Sequence, residues 1–156
     1  MKDAQQRPSA IPWPPILFLA ALLASTTLHA LLPATMPWLP EWGKTLGWAL
    51  CGLGAGLMLS AILAFRRHRT TILPTRGADA LIVAAPFNFT RNPIYLSEAV
   101  ILAGLGLANA SLWHLAIAPL FMVAVTRLAI MPEEAHLSAR FGVAWVQYAA
   151  RVRRWL

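Results

Sequence analysis

From Thr45 to Phe65 the chain runs 21 residues without a charged side chain, and Arg66-Arg67-His68-Arg69 ends the run. As a helix rising about 1.5 Å per residue, that run covers the ~30 Å hydrocarbon core of a bilayer. No water is available there, so the segment has to pair its own backbone groups, which leaves the helix as the open-chain solution. Comparable apolar runs occupy Ile16 to Leu32, Ile94 to Leu107 and Leu112 to Ile130. With 58% hydrophobic and only 12% charged residues, there is too little polar surface to clothe a soluble globule of this length. The fold class these features predict is all-α integral membrane, with transmembrane helices over 16–32, 45–65, 94–107 and 112–130. Ala108-Asn109-Ala110-Ser111 turns the last two into a hairpin, in which Pro119 is expected to tilt or kink the second leg.

The remaining stretches punctuate these spans. Residues 1–15 form a proline-rich tail carrying Lys2 and Arg7, and Pro33 to Lys44 reads as an interfacial loop with Trp38 and Trp42 in an aromatic belt. The first apolar run continues through Leu31 and Leu32, which favours a span over a cleaved leader. Beyond Pro132 the composition is no longer apolar enough to cross. There Leu137, Phe141, Trp145, Tyr148, Val152 and Trp155 recur at three- and four-residue spacing, one face of an amphipathic C-terminal helix. The expected organisation is one membrane domain, with segments 66–93 and 131–156 outside the bilayer.

A net charge of +7 suggests nucleic acid in a soluble protein, but here the basic residues flank apolar runs. With four spans, eleven of them fall on one side (Lys2 and Arg7, Arg66, Arg67, Arg69, Arg76 and Arg91, Arg140, Arg151, Arg153 and Arg154), against Lys44 on the other. The positive-inside rule then puts both termini and the 66–93 loop in the cytosol, as in a bacterial-type inner membrane protein. The single cysteine, Cys51, excludes an intrachain disulfide and a cysteine-based zinc site. The four histidines follow no ligand spacing, so no metal is expected. Neither a serine-hydrolase elbow nor a phosphate loop occurs. Gly52-x-x-x-Gly56 permits close helix contact, within the chain or between chains, so the oligomeric state stays open.

The stretch most suited to chemistry is Phe87 to Glu98, where a polar loop meets an apolar helix. Pro93 fits the first helical turn, and Thr90, Arg91 and Asn92 gather at a helix N-terminus that favours anionic groups. A bland alternative has Arg91 snorkelling to lipid phosphates. Charge counting puts Arg127, Glu133, Glu134 and the basic tail on the same face, which favours a ligand site. Glu98 is expensive inside a membrane helix unless it faces a cavity or a partner. Arg127 lies at a depth suited to pairing with it as a structural clamp. Glu133 and Glu134 follow Pro132 at a helix start, where dipole complementarity alone would accommodate them.

The pattern Arg91-Asn92-Pro93-Ile94-Tyr95, an apolar hairpin, Pro132-Glu133-Glu134-x-x-Leu137, Phe141-Gly142, Tyr148 and Val152-Arg153-Arg154 resembles the isoprenylcysteine carboxyl methyltransferase and phospholipid methyltransferase superfamily. The resemblance covers the second half of the chain, from Leu81 onward. It implies an integral-membrane methyltransferase that takes its methyl group from S-adenosylmethionine at the cytosolic face. By the same resemblance the cofactor-binding residues are Arg91, Asn92, Pro93, Tyr95, Glu133, Glu134 and Tyr148. The family's tail arginines fall on Arg151 and Arg154, which with Glu98 are the catalytic candidates. Asn92 stands where the eukaryotic members have histidine, Ser97 where glycine is usual, and Ala85 replaces a glycine before Pro86-Phe87.

The residues suit that cofactor: Arg91 and the helix start answer its carboxylate, and Glu133 or Glu134 its positive groups. The expected acceptor is lipid-like and enters from the bilayer. A carboxylate of isoprenylcysteine type comes first, because it is ionised at neutral pH and needs no general base; Arg151 or Arg154 would orient it. A phospholipid amine comes second, with Glu98 or Glu134 as base. A non-catalytic membrane scaffold is the reading of another class.

Overall fold

A computed structural model describes residues 13–68 and 81–156. The proline-rich start of the tail, with Lys2 and Arg7, and the loop positions Arg69 and Arg76 lie outside the described residues. Among the described residues the structure is helical, without a strand. Helices α1 (Trp13–Leu31) and α2 (Glu41–Arg67) are followed by α3 (Pro93–Ala108), α4 (Leu112–Val125), α5 (Met131–Phe141) and α6 (Val143–Arg151). A π-helical segment, Thr126–Ile130, joins α4 to α5 without a break. α1, α2 and the continuous helix Leu112–Phe141 are each long and apolar enough to cross a membrane; α3, at 16 residues, is a shorter apolar helix.

Glycine decides how closely α2 and α3 approach. A Cβ on Gly47 would collide with the Ala108 backbone nitrogen, and one on Gly104 would lie 2.8 Å from the Gly47 carbonyl oxygen. Apolar side chains gain nothing by leaving lipid, so backbone-close van der Waals contact is the main attraction available to such a pair. The expected Gly52-x-x-x-Gly56 pair plays no part in it: both positions border open space. Gly47, Gly54 and Gly104 make the contact instead. Two of these lie on α2 seven residues apart, a spacing that also returns to one helix face.

On its other side α3 packs with α1 and α4 around Ala99, Leu102, Ala118, Phe121, Val125, Ala129 and Ile130. The far end of the bundle is tied by short polar contacts. Thr35 bridges to Ser111, the Trp113 indole donates to the Leu32 carbonyl (2.7 Å), and the His29 and His114 rings meet edge to face at 6.2 Å.

α4 continues as a helix through Pro119, and the chain leaves α geometry at Thr126–Ile130. One expectation changes in the second half. In place of one amphipathic helix beyond Pro132, the chain forms α5, running on from α4, and α6. Between them Gly142 adopts φ +52°, a left-handed conformation that L-residues with a Cβ avoid. α6 then buries Trp145 and Tyr148, and after it Val152, against Leu81, Leu137 and Phe141.

Candidate active site at the start of α3

α3 starts as its sequence dictates: Asn92 is the N-cap residue and Pro93 opens the first turn, where its missing N–H costs nothing. No side chain caps the helix. The Asn92 amide instead donates to the Arg154 carbonyl at 2.8 Å, and Thr90 Oγ1 donates to the same carbonyl at 3.2 Å. Arg91 N–H donates to the Arg153 carbonyl at 3.0 Å. Three consecutive residues of the loop therefore hang on two consecutive carbonyls of the segment after α6. Tyr148 adds a fourth tie, its hydroxyl donating to the Phe87 carbonyl at 2.7 Å. Burial pushes that phenol up to about 12, with the Arg91 charge pulling the other way.

These ties set the side chains of Arg91 and Arg154 around Glu134. Arg154 grips it with two edges of the guanidinium, Nε at 3.1 Å and a terminal nitrogen at 2.6 Å, and Arg91 approaches to 3.4 Å. Hydrogen bonding to Glu134 raises the Arg154 pKa further, so this cation is permanent. Arg91 lies 5.6 Å from the centre of the Trp145 ring, and its Nε is buried with no hydrogen-bond partner. Two guanidinium groups share one carboxylate, which leaves this corner with an excess positive charge.

The opposite corner is acidic. Tyr95 donates its hydroxyl to Glu133 at 3.1 Å. Glu98, one turn further along α3, is 6% exposed and has a carboxylate oxygen without a partner. Arg91 of the first corner and Tyr95 and Glu133 of the second line a half-open cleft together with Phe65, Phe87, Asn92, Pro93 and Ile94. Its free space, about 30 Å³, is far below that of a small-molecule site, so a ligand of that size requires the cleft to open.

The structure thus brings together Arg91, Asn92, Pro93, Tyr95, Glu133, Glu134, Tyr148 and Arg154. It leaves Arg151 apart, exposed and bonded through Nε to the Gln147 carbonyl of its own helix. The expected Glu98–Arg127 clamp does not form among the described residues; Arg127 lies beside Met122, Val123, Thr126 and Trp155 instead. The arginine is one residue inside the π segment, which alters the direction a simple helical extrapolation assumes. Several members of the site are not legible in the sequence. Trp145 reads only as part of an apolar face, and the carbonyls of Arg153 and Arg154 carry no signal in a sequence. Phe65, in the last turn of α2, lines the cleft through the fold alone.

Among the described residues no group of three or more His, Cys, Asp or Glu side chains is placed to hold a metal ion. No curated protein and no solved structure matches the chain. A family model does, described as phospholipid methyltransferase, over residues 42–144, about two thirds of the sequence. The match takes in α2, the Arg91–Tyr95 loop and both glutamates, and stops just short of Tyr148 and Arg154. With helices of membrane-spanning length and this match over most of its residues, the chain belongs to the phospholipid methyltransferase family, a family of membrane methyltransferases.

Proposed function

We propose that the chain is an S-adenosylmethionine-dependent methyltransferase whose acceptor is the amine of a phospholipid headgroup. We place the start of α3 in the cytosol on the strength of the charge count. The observation that carries the proposal is the polarity of the cleft: Arg91 on one wall, Glu133 held by Tyr95 on the other, with Glu98 buried one turn further along α3. A ligand with a carboxylate and positive groups on one skeleton suits such a cleft. Arg91, with a buried Nε still to be bonded, would take the carboxylate, aided by the uncapped N–H groups of Ile94 and Tyr95. Glu133, held by Tyr95, would take the ammonium. The cofactor, when bound, supplies a methyl group on a positive sulfur.

The acidic corner favours an amine over a carboxylate. An ammonium acceptor has to lose a proton before its nitrogen can attack. The unpartnered oxygen of Glu98 is a candidate to receive it, so Glu98 would serve as general base. Arg151, one of the arginines expected to orient a carboxylate acceptor, lies apart, bonded to its own helix. The family description points the same way. Carboxyl methylation remains the second reading, supported by Arg154, whose half-exposed guanidinium is close enough to exchange Glu134 for another carboxylate.

Purified protein in phospholipid nanodiscs, supplied with methyl-labelled S-adenosylmethionine, tests this. We expect cofactor binding that Arg91→Ala abolishes, and label in base-stable amine that Glu98→Gln lowers at least tenfold. A base-labile ester product would overturn the amine reading. Absence of binding, with Arg91→Ala indistinguishable from the parent, would overturn the enzyme and leave the scaffold.

A further inference from the structure

Leu120 and Val123 of α4 and Arg127 of the π segment are exposed, and Val123 and Arg127 border the same groove. Two of them suit lipid tails. The third carries a guanidinium that makes no hydrogen bond or ion pair among the described residues. Beside it an open groove of about 260 Å³ is walled by Met122, Val123, Thr126, Arg127 and Trp155. Trp155 packs one side on the core of α3 and α4 and closes the groove with the other.

Depth decides what this groove can hold. Arg127 lies fifteen residues beyond Leu112, or about 22 Å along the helix. In a hydrocarbon core of ~30 Å that is within a snorkelling side chain of the headgroup boundary. A guanidinium left without an anion at that depth is costly, and a phosphate offers it paired oxygen acceptors. Tryptophan is favoured at the same level of a bilayer. We infer that this groove binds one phospholipid, with its phosphate on Arg127, an acyl chain along Val123 and Leu120, and Trp155 as the side wall. The site is independent of the methyl acceptor and needs no cofactor.

Native mass spectrometry of delipidated protein, titrated with dioleoylphosphatidylglycerol and with dioleoylglycerol, provides the test. One phosphatidylglycerol per chain is expected to be retained, about tenfold more weakly in Arg127→Ala and with most of the affinity kept in Arg127→Lys. Arg67→Ala, on the exposed end of α2, is expected to bind like the parent, and the phosphate-free dioleoylglycerol to be lost. Equal retention by Arg127→Ala, or equal retention of the two lipids, would overturn the inference. So would a protein dimer that Arg127→Ala dissociates, since a second copy would then fill the groove. Should Arg127→Ala lose its helical circular dichroism, the comparison passes to Arg127→Gln and Arg127→Lys.

Discussion

Removing the Arg154 grip on Glu134 is expected to cost this end of the bundle a defined and modest amount. Exposed ion pairs contribute ~0.2–1 kcal/mol, while breaking a buried one costs ~3–5 kcal/mol because a charge is left unpaired in a poor solvent. Here the Glu134 side chain is 16% exposed and that of Arg154 37%, with two donors on one carboxylate. The pair sits between the limits, and bidentate geometry argues for the middle of the interval. A double-mutant cycle with Glu134→Gln and Arg154→Met should therefore give a coupling energy of about 1–2 kcal/mol, a factor of about 5–30 in the unfolding equilibrium. Arg91 reports on the same carboxylate from a longer distance, so its coupling to Glu134 should be smaller than that of Arg154. Reversible unfolding in mixed micelles, followed by tryptophan fluorescence, gives these numbers. A coupling under about 0.3 kcal/mol, or one that vanishes in 0.5 M salt as a surface pair does, would refute the assignment of this corner as a shielded, preorganised charge cluster.

Asn92→Asp should lower stability by about 1–3 kcal/mol in the same assay, because it turns an amide that donates to the Arg154 carbonyl into an acceptor facing an acceptor. Asn92→His, with a ring N–H to offer, should recover part of that loss. Gly47→Ala should cost about 1–3 kcal/mol or force α2 from α3, since its Cβ meets backbone atoms; Gly52→Ala, on open space, should stay within about 0.5 kcal/mol. Tyr148 is held protonated up to about pH 12 in the fold, against about 10 when released. Its contribution is therefore complete below pH 10 and lost as the pH rises from 10 through 12. Ultraviolet titration should show this late phenolate, and Tyr148→Phe should flatten stability across that window.

The apolar runs were legible because the bilayer imposes a single length and a single backbone solution on them, so the helices follow composition alone. Pro93 at the head of α3 was legible for a similar reason: its chemistry is local. What sequence could not give was direction. Arg127 is at the right depth for Glu98 on an ideal helix, yet the π segment starting at Thr126 sends it to the groove beside Trp155. Arg151 and Arg154 look equivalent in the chain, but one ends in α6 and the other follows it, where the backbone turns extended at Val152. Gly52 and Gly56 carry the familiar spacing for contact, whereas the contact itself falls on Gly47 and Gly54, selected by where α3 lies. Asn92 is an N-cap by position, but its side chain is claimed by a carbonyl sixty-two residues away.

That long reach has a consequence for biogenesis. The bonds from Thr90 and Asn92 to the Arg154 carbonyl span 64 and 62 positions of sequence. At roughly 5–20 residues per second, synthesis takes about 3–13 s to pass from one to the other. During that interval α3 can enter the membrane and pair with α2, but its entrance loop has only water to satisfy it. A nascent chain halted before Arg153 would hold a finished bundle and an unbuilt cradle, inserted but unable to grip a ligand. Catalytic competence would then be dated by the arrival of two backbone carbonyls.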